Sequence, residues 1–211
     1  MDIAVVDYGM GNLRSVAKAL VHVAPTRDIV VSADPDVIRG AERVVLPGQS
    51  AMPDCMQSLE ASGLASVVRE AARTRPFLGI CIGLQMLFER SEEGDTPGLA
   101  VFPGRVKRFP PAAMIDARGE KLKVPYMVWN EVMQTAPHAL WRGIADANRF
   151  YFVHSYYVEA GTPDLVAARS DYGFPFTCAV AQYNIFGVQF HPEKSQTAGL
   201  ALLANFVTWK P

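Results

Sequence analysis

Residues 75–90 read RPFLGICIGLQMLFER, and the fold turns on how that stretch divides. FLGIC (77–81) is a short apolar run behind Pro76, the pattern of a strand buried on both faces. Beyond it, Leu84, Leu87 and Phe88 fall on one stripe and predict a helix. Cys81 therefore lies where strand passes into helix, flanked by Gly79 and Gly83. In an open α/β sheet, reactive groups collect beyond the carboxyl ends of the strands, and this junction is such a place.

Working outward, IAVVDYG (3–9) reads as another buried strand, followed by a helical face of Leu13, Val16, Ala17, Leu20 and Val21. DIVVS (28–32) and RVVLPG (43–48) predict two more buried strands around a short segment at 35–39. A longer helical stretch carries Met52, Met56, Leu59, Val67, Val68 and Ala71, with a break near Gly63. Strand and helix alternating at this pitch predict a parallel sheet covered on both faces.

The second half is richer in strands. GRVKRF (104–109), KLKVPYMVWNEV (121–132), NRFYFVHSYYVEA (148–160), FTCAVAQ (176–182) and IFGVQFHPE (185–193) all read so, and a hairpin through Tyr183 and Asn184 joins the last two. A helix from about Thr197 turns Leu200, Leu203, Ala204 and Val207 inward, and the long loops are 91–98 and 110–120. The expected fold is α/β: a mostly parallel open sheet flanked by helices, with an antiparallel strand-rich second half. Residues 1–211 are expected to form one domain.

A chain of 211 residues buries roughly 70% of its unfolded surface, so its core needs no disulfide or metal. Its 20 basic and 21 acidic residues give a net charge of −1, with no basic block to follow a phosphate backbone. No signal h-region and no apolar run of membrane-spanning length is present. Cys55, Cys81 and Cys178 are odd in number and form no CxxC pair, which suits a reducing cytoplasm. Cys55 and Cys178 read as structural. His22, His138, His154 and His191 have no metal-pair spacing, and neither metal nor cofactor is expected.

The string G-I-C-I-G (79–83) has the spacing of the G-x-S-x-G nucleophile elbow, with a thiol in place of the hydroxyl. Backbone N–H groups of a following helix would favour the thiolate. A buried core cysteine is the competing reading, and spacing alone does not separate the two. HPE (191–193) supplies what a thiol nucleophile needs: on an extended segment His191 and Glu193 project to one side, base and orienter, with Pro192 turned away. Oxyanion donors are available from the N–H of Ile82 and from the N–H of Gln49, in the turn LPGQS (46–50). Gln85, polar beside the apolar stripe, faces either a pocket or water. His154, within an amphipathic run, is expected to pack or hydrogen-bond rather than bind a metal.

LPGQSAMPDC (46–55), GICIGLQMLFERSEEG (79–94) and FGVQFHPEKS (186–195) together resemble class I (triad) glutamine amidotransferases. DYGMGN (7–12), VPYMVWNEV (124–132) and YFVHSYY (151–157) are similar to the glutaminase-subunit branch that serves imidazole glycerol phosphate synthases. The resemblance implies that Cys81 attacks the glutamine side-chain amide, His191 shuttles the proton and Glu193 orients it. It implies an oxyanion hole of Gln49 and Ile82, and substrate contacts at Gly48, Gln85, Glu93 and Ser155. It further implies a partner, a (β/α)₈ cyclase subunit that consumes the ammonia, met through Asn12, Trp129, Asn130, Tyr151 and Lys194. In that setting Trp129 stacks on a partner arginine and Lys194 pairs with a partner carboxylate.

Three positions depart from the family pattern. Ser50 stands where a second turn glycine is usual, Val128 where glycine usually precedes the Trp-Asn pair, and Tyr126 where His or Gln is frequent. A Cβ at either glycine position narrows the backbone's options and is expected to stiffen the turn and the hinge. Other readings are a triad glutaminase serving GMP, anthranilate or pyridoxal phosphate synthesis, a cysteine hydrolase of another amide or ester, and a non-catalytic scaffold.

Overall fold

The computed structural model describes residues 1–112, 114, 115 and 119–211. Of the loop expected at 110–120, Ala113 and residues 116–118 lie outside the described residues. Four strands of the first half, β1 (Ile3–Val6), β2 (Ile29–Ser32), β3 (Arg43–Gly48) and β4 (Phe77–Cys81), pair in parallel in the order β2-β1-β3-β4. β1, β3 and β4 are buried along their whole length. Each fully buried Leu, Ile or Phe in them contributes about 1.5–3 kcal/mol. β2 is not the buried strand expected: it is the sheet edge and stays half-exposed, with Val31 38% accessible.

Helices α1 (Leu13–Val23), α2 (Pro35–Gly40), α3 (Met52–Ala61) and α4 (Ala65–Thr74) connect these strands. Asp34 starts α2 by accepting the Asp36 N–H at 2.8 Å, with Pro35 at the first helical position, where its missing donor costs nothing. Gly63, at φ 73°, separates α3 from α4 where the periodicity breaks. The buried face of α1 is Val16, Ala19 and Leu20, and Val21 points to solvent. A stripe drawn through Val21 is rotated away from the sheet.

The helix predicted from the opening stretch lasts one turn, α5 (Ile82–Gln85), before the chain becomes strand β5 (Phe88–Ser91). Ile82 to Phe88 are all buried, so this segment has no solvent face to impose a helical period. Phe88 instead pairs with Phe102 of a parallel neighbouring strand, their rings 5.8 Å apart. Tertiary burial overrides the local preference.

β6 (Thr96–Pro97), β7 (Phe102–Arg108), β8 (Tyr126–Gln134), β9 (Asn148–His154), β10 (Tyr156–Ala160), β11 (Val166–Asp171), β12 (Pro175–Gln182) and β13 (Ile185–Val188) make up the second half. The run 148–160 is two strands, because the chain turns at Ser155 and sends β9 to β8 and β10 to β7. β13 is the seam: it lies parallel to β4 and antiparallel to β12, to which the Tyr183–Asn184 turn joins it. Among the described residues the sheet continues β13-β12-β10-β7-β5-β6, while β11 links β12 to the β8–β9 ribbon.

The chain closes with α6 (Gln196–Thr208), which buries Leu202, Leu203, Phe206 and Val207, whereas Leu200 and Ala204 are only partly covered. Arg43, at the start of β3, donates to the carbonyls of Phe206 and Trp209 at 3.2 and 2.8 Å and satisfies the end of α6. Among the described residues, no helix is long and apolar enough to cross a membrane.

Candidate active site

Register places the ends of β3 and β4 side by side, Gly48 opposite Cys81. Cys81 holds φ 56°, ψ −112°, a conformation that L-residues avoid and that persists only where the surroundings enforce it. Close backbone contact is that enforcement. A Cβ on Gly83 would fall on the Leu46 carbonyl, and one on Gly48 would meet Gly83 N and Ile82 Cβ at 2.7 Å. The glycines are thus a steric requirement of bringing β3 against the turn after β4. Because α5 has only four residues, the donors here are individual peptide N–H groups, not the end of a long helix dipole.

The base arrives from the seam strand. Past β13, the Gln189 N–H donates to the Cys178 carbonyl at 2.8 Å and the His191 N–H to the Tyr151 carbonyl at 2.9 Å. The Ser195 hydroxyl donates to the His191 carbonyl at 2.6 Å and accepts the Tyr151 N–H at 3.0 Å. His191 and Glu193 are not on an extended segment: residues 192–194 form a 3₁₀ turn that begins at His191. The turn still brings Glu193 Oε1 to 2.9 Å from His191 Nδ1, with both side chains buried. A carboxylate only accepts, so Nδ1 carries the proton and Nε2 is left for Cys81. Burial pulls the imidazole's pKa down, but the neighbouring Cys81 sulfur and the Glu193 carboxylate overcome it and raise it to about 10.

Cys81, His191, Gln49, Ile82, Gln85, Glu93 and Ser155 all line one cleft of about 260 Å³, together with Ser50, Pro125, His154 and Tyr156. Gln85 faces this cleft and not water, with 1% exposure. The carboxylate of Glu93 also accepts the Met52 N–H at 2.8 Å, so one of its oxygens starts α3. Gly48 does not line this cleft and stands opposite Cys81 at the end of β3. Ser50 has φ 95°, in the left-handed region, with its hydroxyl 3.4 Å from Asp54 Oδ2.

The residues expected at a partner surface cluster beside the triad. Asn12 Nδ2 lies 3.4 Å from Glu193 Oε1. Trp129 and Tyr151 are cross-strand partners, their rings 6.0 Å apart and edge-on, and Lys194 Nζ sits 5.8 Å from the centre of the Tyr151 ring. Trp129 and Met127 are 39% and 59% exposed on the outer face of β8. Asn130 differs: its amide donates to Ser170 Oγ and the Asp171 carbonyl at 3.1 and 2.6 Å, tying β8 to β11. Val128 packs partly against the core, and Tyr126 is fully buried against Tyr172, His154 and Phe152.

Sequence reasoning read Cys55 and His154 as structural but missed Tyr8 and Gln189 among the groups that hold the site in shape. The Tyr8 hydroxyl donates to the Pro47 carbonyl at 2.9 Å and the Cys55 thiol to the Gln49 carbonyl at 3.4 Å, so two side chains pin the turn after β3. His154 Nδ1 donates to the Tyr156 carbonyl at 2.7 Å, and burial lowers its pKa to about 3, so the ring is neutral. Packing and hydrogen bonding are thus its roles, as expected. Gln189 is completely buried beside Cys81. Its signal lay in its spacing, two residues before His191 and just past the apolar run of β13.

Residues 4–209 match the family described as glutamine amidotransferase class-I. The chain is 65% identical over 211 residues to an imidazole glycerol phosphate synthase subunit HisH of Thiobacillus denitrificans, covering all of this chain and 92% of that protein. It is also 65% identical to the corresponding subunit of Nitrosospira multiformis, over 100% of this chain and 99% of that one. Among solved structures, PurLQS from Thermotoga maritima shares the fold at 18% identity, with a TM-score of 0.69 over 97% of this chain and 96% of that one. A crystal structure of a glutamine amidotransferase superposes with a TM-score of 0.69 at 17% identity, covering 95% of this chain and 98% of that one.

Proposed function

Starting from a chain that belongs to the class-I glutamine amidotransferase family, we propose that its glutaminase chemistry runs through Cys81, His191 and Glu193. The protein is the glutaminase subunit of imidazole glycerol phosphate synthase, an enzyme of histidine biosynthesis. The observation that supports the residue assignment is the cleft itself: a strained cysteine, a carboxylate-oriented histidine and two turn peptides meet there.

The Cys81 thiol passes its proton to His191 Nε2 as its sulfur adds to the side-chain carboxamide carbon of glutamine, and the oxyanion is met by the N–H groups of Ile82 and Gln49. His191 Nε2 gives its proton to the departing nitrogen, ammonia leaves, and a thioester remains. Nε2 then takes a proton from water as that water attacks the thioester, and glutamate departs with Cys81 and His191 restored. Glu193 keeps Nδ1–H in place throughout. Glu93, Gln85, Ser155 and the Gly48 backbone hold the substrate.

The ammonia passes to a cyclase subunit of (β/α)₈ form, which makes imidazole glycerol phosphate and aminoimidazole carboxamide ribotide. Trp129, Tyr151, Lys194, Asn12 and the β8 segment around Asn130 meet that partner. Support for this surface is its exposed aromatic and apolar side chains next to the triad carboxylate. Ammonia freed into neutral water would take up a proton and lose its nucleophilic lone pair, so a closed junction has a chemical purpose. Residues 1–211 act as one glutaminase domain, supported by a continuous hydrophobic core, and the cytoplasm suits its three free cysteines.

The test is glutamate release by wild type and Cys81→Ala, with and without a cyclase subunit and its nucleotide. Wild type hydrolyses glutamine in a partner-dependent way, and Cys81→Ala loses at least about a thousandfold in rate. Absence of partner-dependent hydrolysis in wild type sinks the reading.

A further inference from the structure

A second polar side chain reaches the Cys81 sulfur. Gln189, two residues before the base, is completely buried, with its Nε2 3.8 Å from Cys81 Sγ. Which end of this amide meets the sulfur is set by a chain of one-way bonds. The Tyr156 carbonyl can only accept, and it takes an N–H from Gln85 Nε2 at 3.2 Å. The other N–H of Gln85 goes to Gln189 Oε1 at 3.0 Å. With its oxygen so committed, Gln189 turns its NH₂ to the sulfur. Reversing either amide would set two donors or two acceptors face to face between two buried side chains, at the cost of a buried hydrogen bond.

We propose that Gln189 is a catalytic residue of the glutaminase: its amide N–H donates to the Cys81 thiolate, with Gln85 and the Tyr156 carbonyl fixing the donor's direction. The proposal rests on Cys81 being the nucleophile of the reading above. A hydrogen bond to a charged sulfur is roughly twice as strong as one to a neutral acceptor. Donation therefore favours the thiolate before attack and again when the sulfur leaves the thioester. It weakens in between, when the sulfur carries no charge. The alternative is that the two glutamines only plug the space between α5 and the seam strand.

Other titratable groups face the sulfur as well. His191, backed by Glu193, comes from beyond β13, Tyr8 from the loop after β1, Cys55 from α3, and Glu93 lines the cleft. Burial raises the pKa values of both Tyr8 and Cys55 above their ordinary values, away from the range tested.

The experiment follows alkylation of Cys81 by iodoacetamide from pH 5 to pH 8.5 in the full-length chain, alongside glutamate release with the cyclase subunit. Gln189→Glu keeps the size but puts an acceptor at the sulfur, and is expected to move the half-maximal pH of alkylation up by about one unit or more. Gln189→Leu removes the donor without adding charge and moves it less, in the same direction. Turnover falls about tenfold or more in both, with KM little changed because glutamine is held by other groups. Folded variants whose alkylation profile does not move overturn the proposal, whatever their turnover. If neither variant folds, the wild type carries the test: the side-chain ¹⁵N–H signals of Gln189 must shift as Cys81 is titrated, and signals that stay still overturn it. Wild-type turnover with an unmoved profile removes only this inference, whereas absent wild-type turnover removes the glutaminase reading.

Discussion

The two halves of the molecule meet at one cleft but build their walls by different means. The parallel half supplies Cys81 and the turn after β3, and holds them by backbone contact so tight that no side chain fits at Gly48 or Gly83. The antiparallel half supplies His154, Tyr156 and, through the seam strand, Gln189 and His191, held by buried hydrogen bonds of fixed direction. One wall is shaped by exclusion of volume and the other by polarity. A small steric error should therefore break the first wall outright, whereas errors in the second should show in pH dependence and rate.

Gly83→Ala is the severest way to break the comparison. Its Cβ falls on the Leu46 carbonyl, and the strand β3 must move to admit it. The expected loss is about 3 kcal/mol or more in urea denaturation, with glutaminase activity abolished. An alanine variant of wild-type stability would mean that the wall is not built by exclusion.

The polar wall is probed by His154. Burial keeps this ring neutral in the fold, with its pKa lowered to about 3 from the ordinary 6.5. Below pH 6.5 the unfolded chain binds a proton that the folded one refuses, so this contribution to stability is full above pH 6.5 and falls with pH down to about 3. Between pH 7 and pH 5 it amounts to about 2 kcal/mol. His154→Phe, which suits the surrounding Phe109, Tyr126 and Phe176, should lower stability at pH 7 but flatten that acid-side slope. A slope equal to wild type would remove His154 as its source.

Ser50→Gly makes the smallest change and sharpens the boundary between the walls. Ser50 holds φ 95° in the turn that carries Gln49, a conformation natural to glycine. Replacement should relieve about 1 kcal/mol of local strain and raise partner-stimulated glutamine hydrolysis. Unchanged kinetics in the assembled enzyme would count against a stiffened turn.

The exclusion wall was far more legible in the sequence than the polar one. Glycines at positions 79 and 83 around Cys81, and the apolar runs before them, announce a tight strand-end turn, because sterics leaves a local mark. The HPE string announced a base and its orienter, although the chain forms a 3₁₀ turn there instead of an extended segment. Phe88–Ser91 escaped, because the buried run Ile82–Phe88 leading into it has no period to read and its own pattern, buried only at Phe88 and Ser91, does not alternate, and β6 escaped as a strand of two residues. The orientation of Gln85 and Gln189 was invisible for a different reason. It is set by the Tyr156 carbonyl, more than thirty residues from one glutamine and seventy from the other.

The seam strand has a consequence for how activity in this protein is adjusted. Cys81 and His191 leave neighbouring strands whose register pairs Ile80 with Val188. A slip of that pairing by one residue would turn every side chain over, so the nucleophile and base are either joined or lost, with nothing graded between. A change that dials the rate up or down has to spare that register: besides Gln189, which lies just past β13, the places for it are the turn 47–50 and the β8–β9 ribbon. An engineer who wants a slower or less partner-dependent enzyme should vary those two elements and leave β4 and β13 untouched.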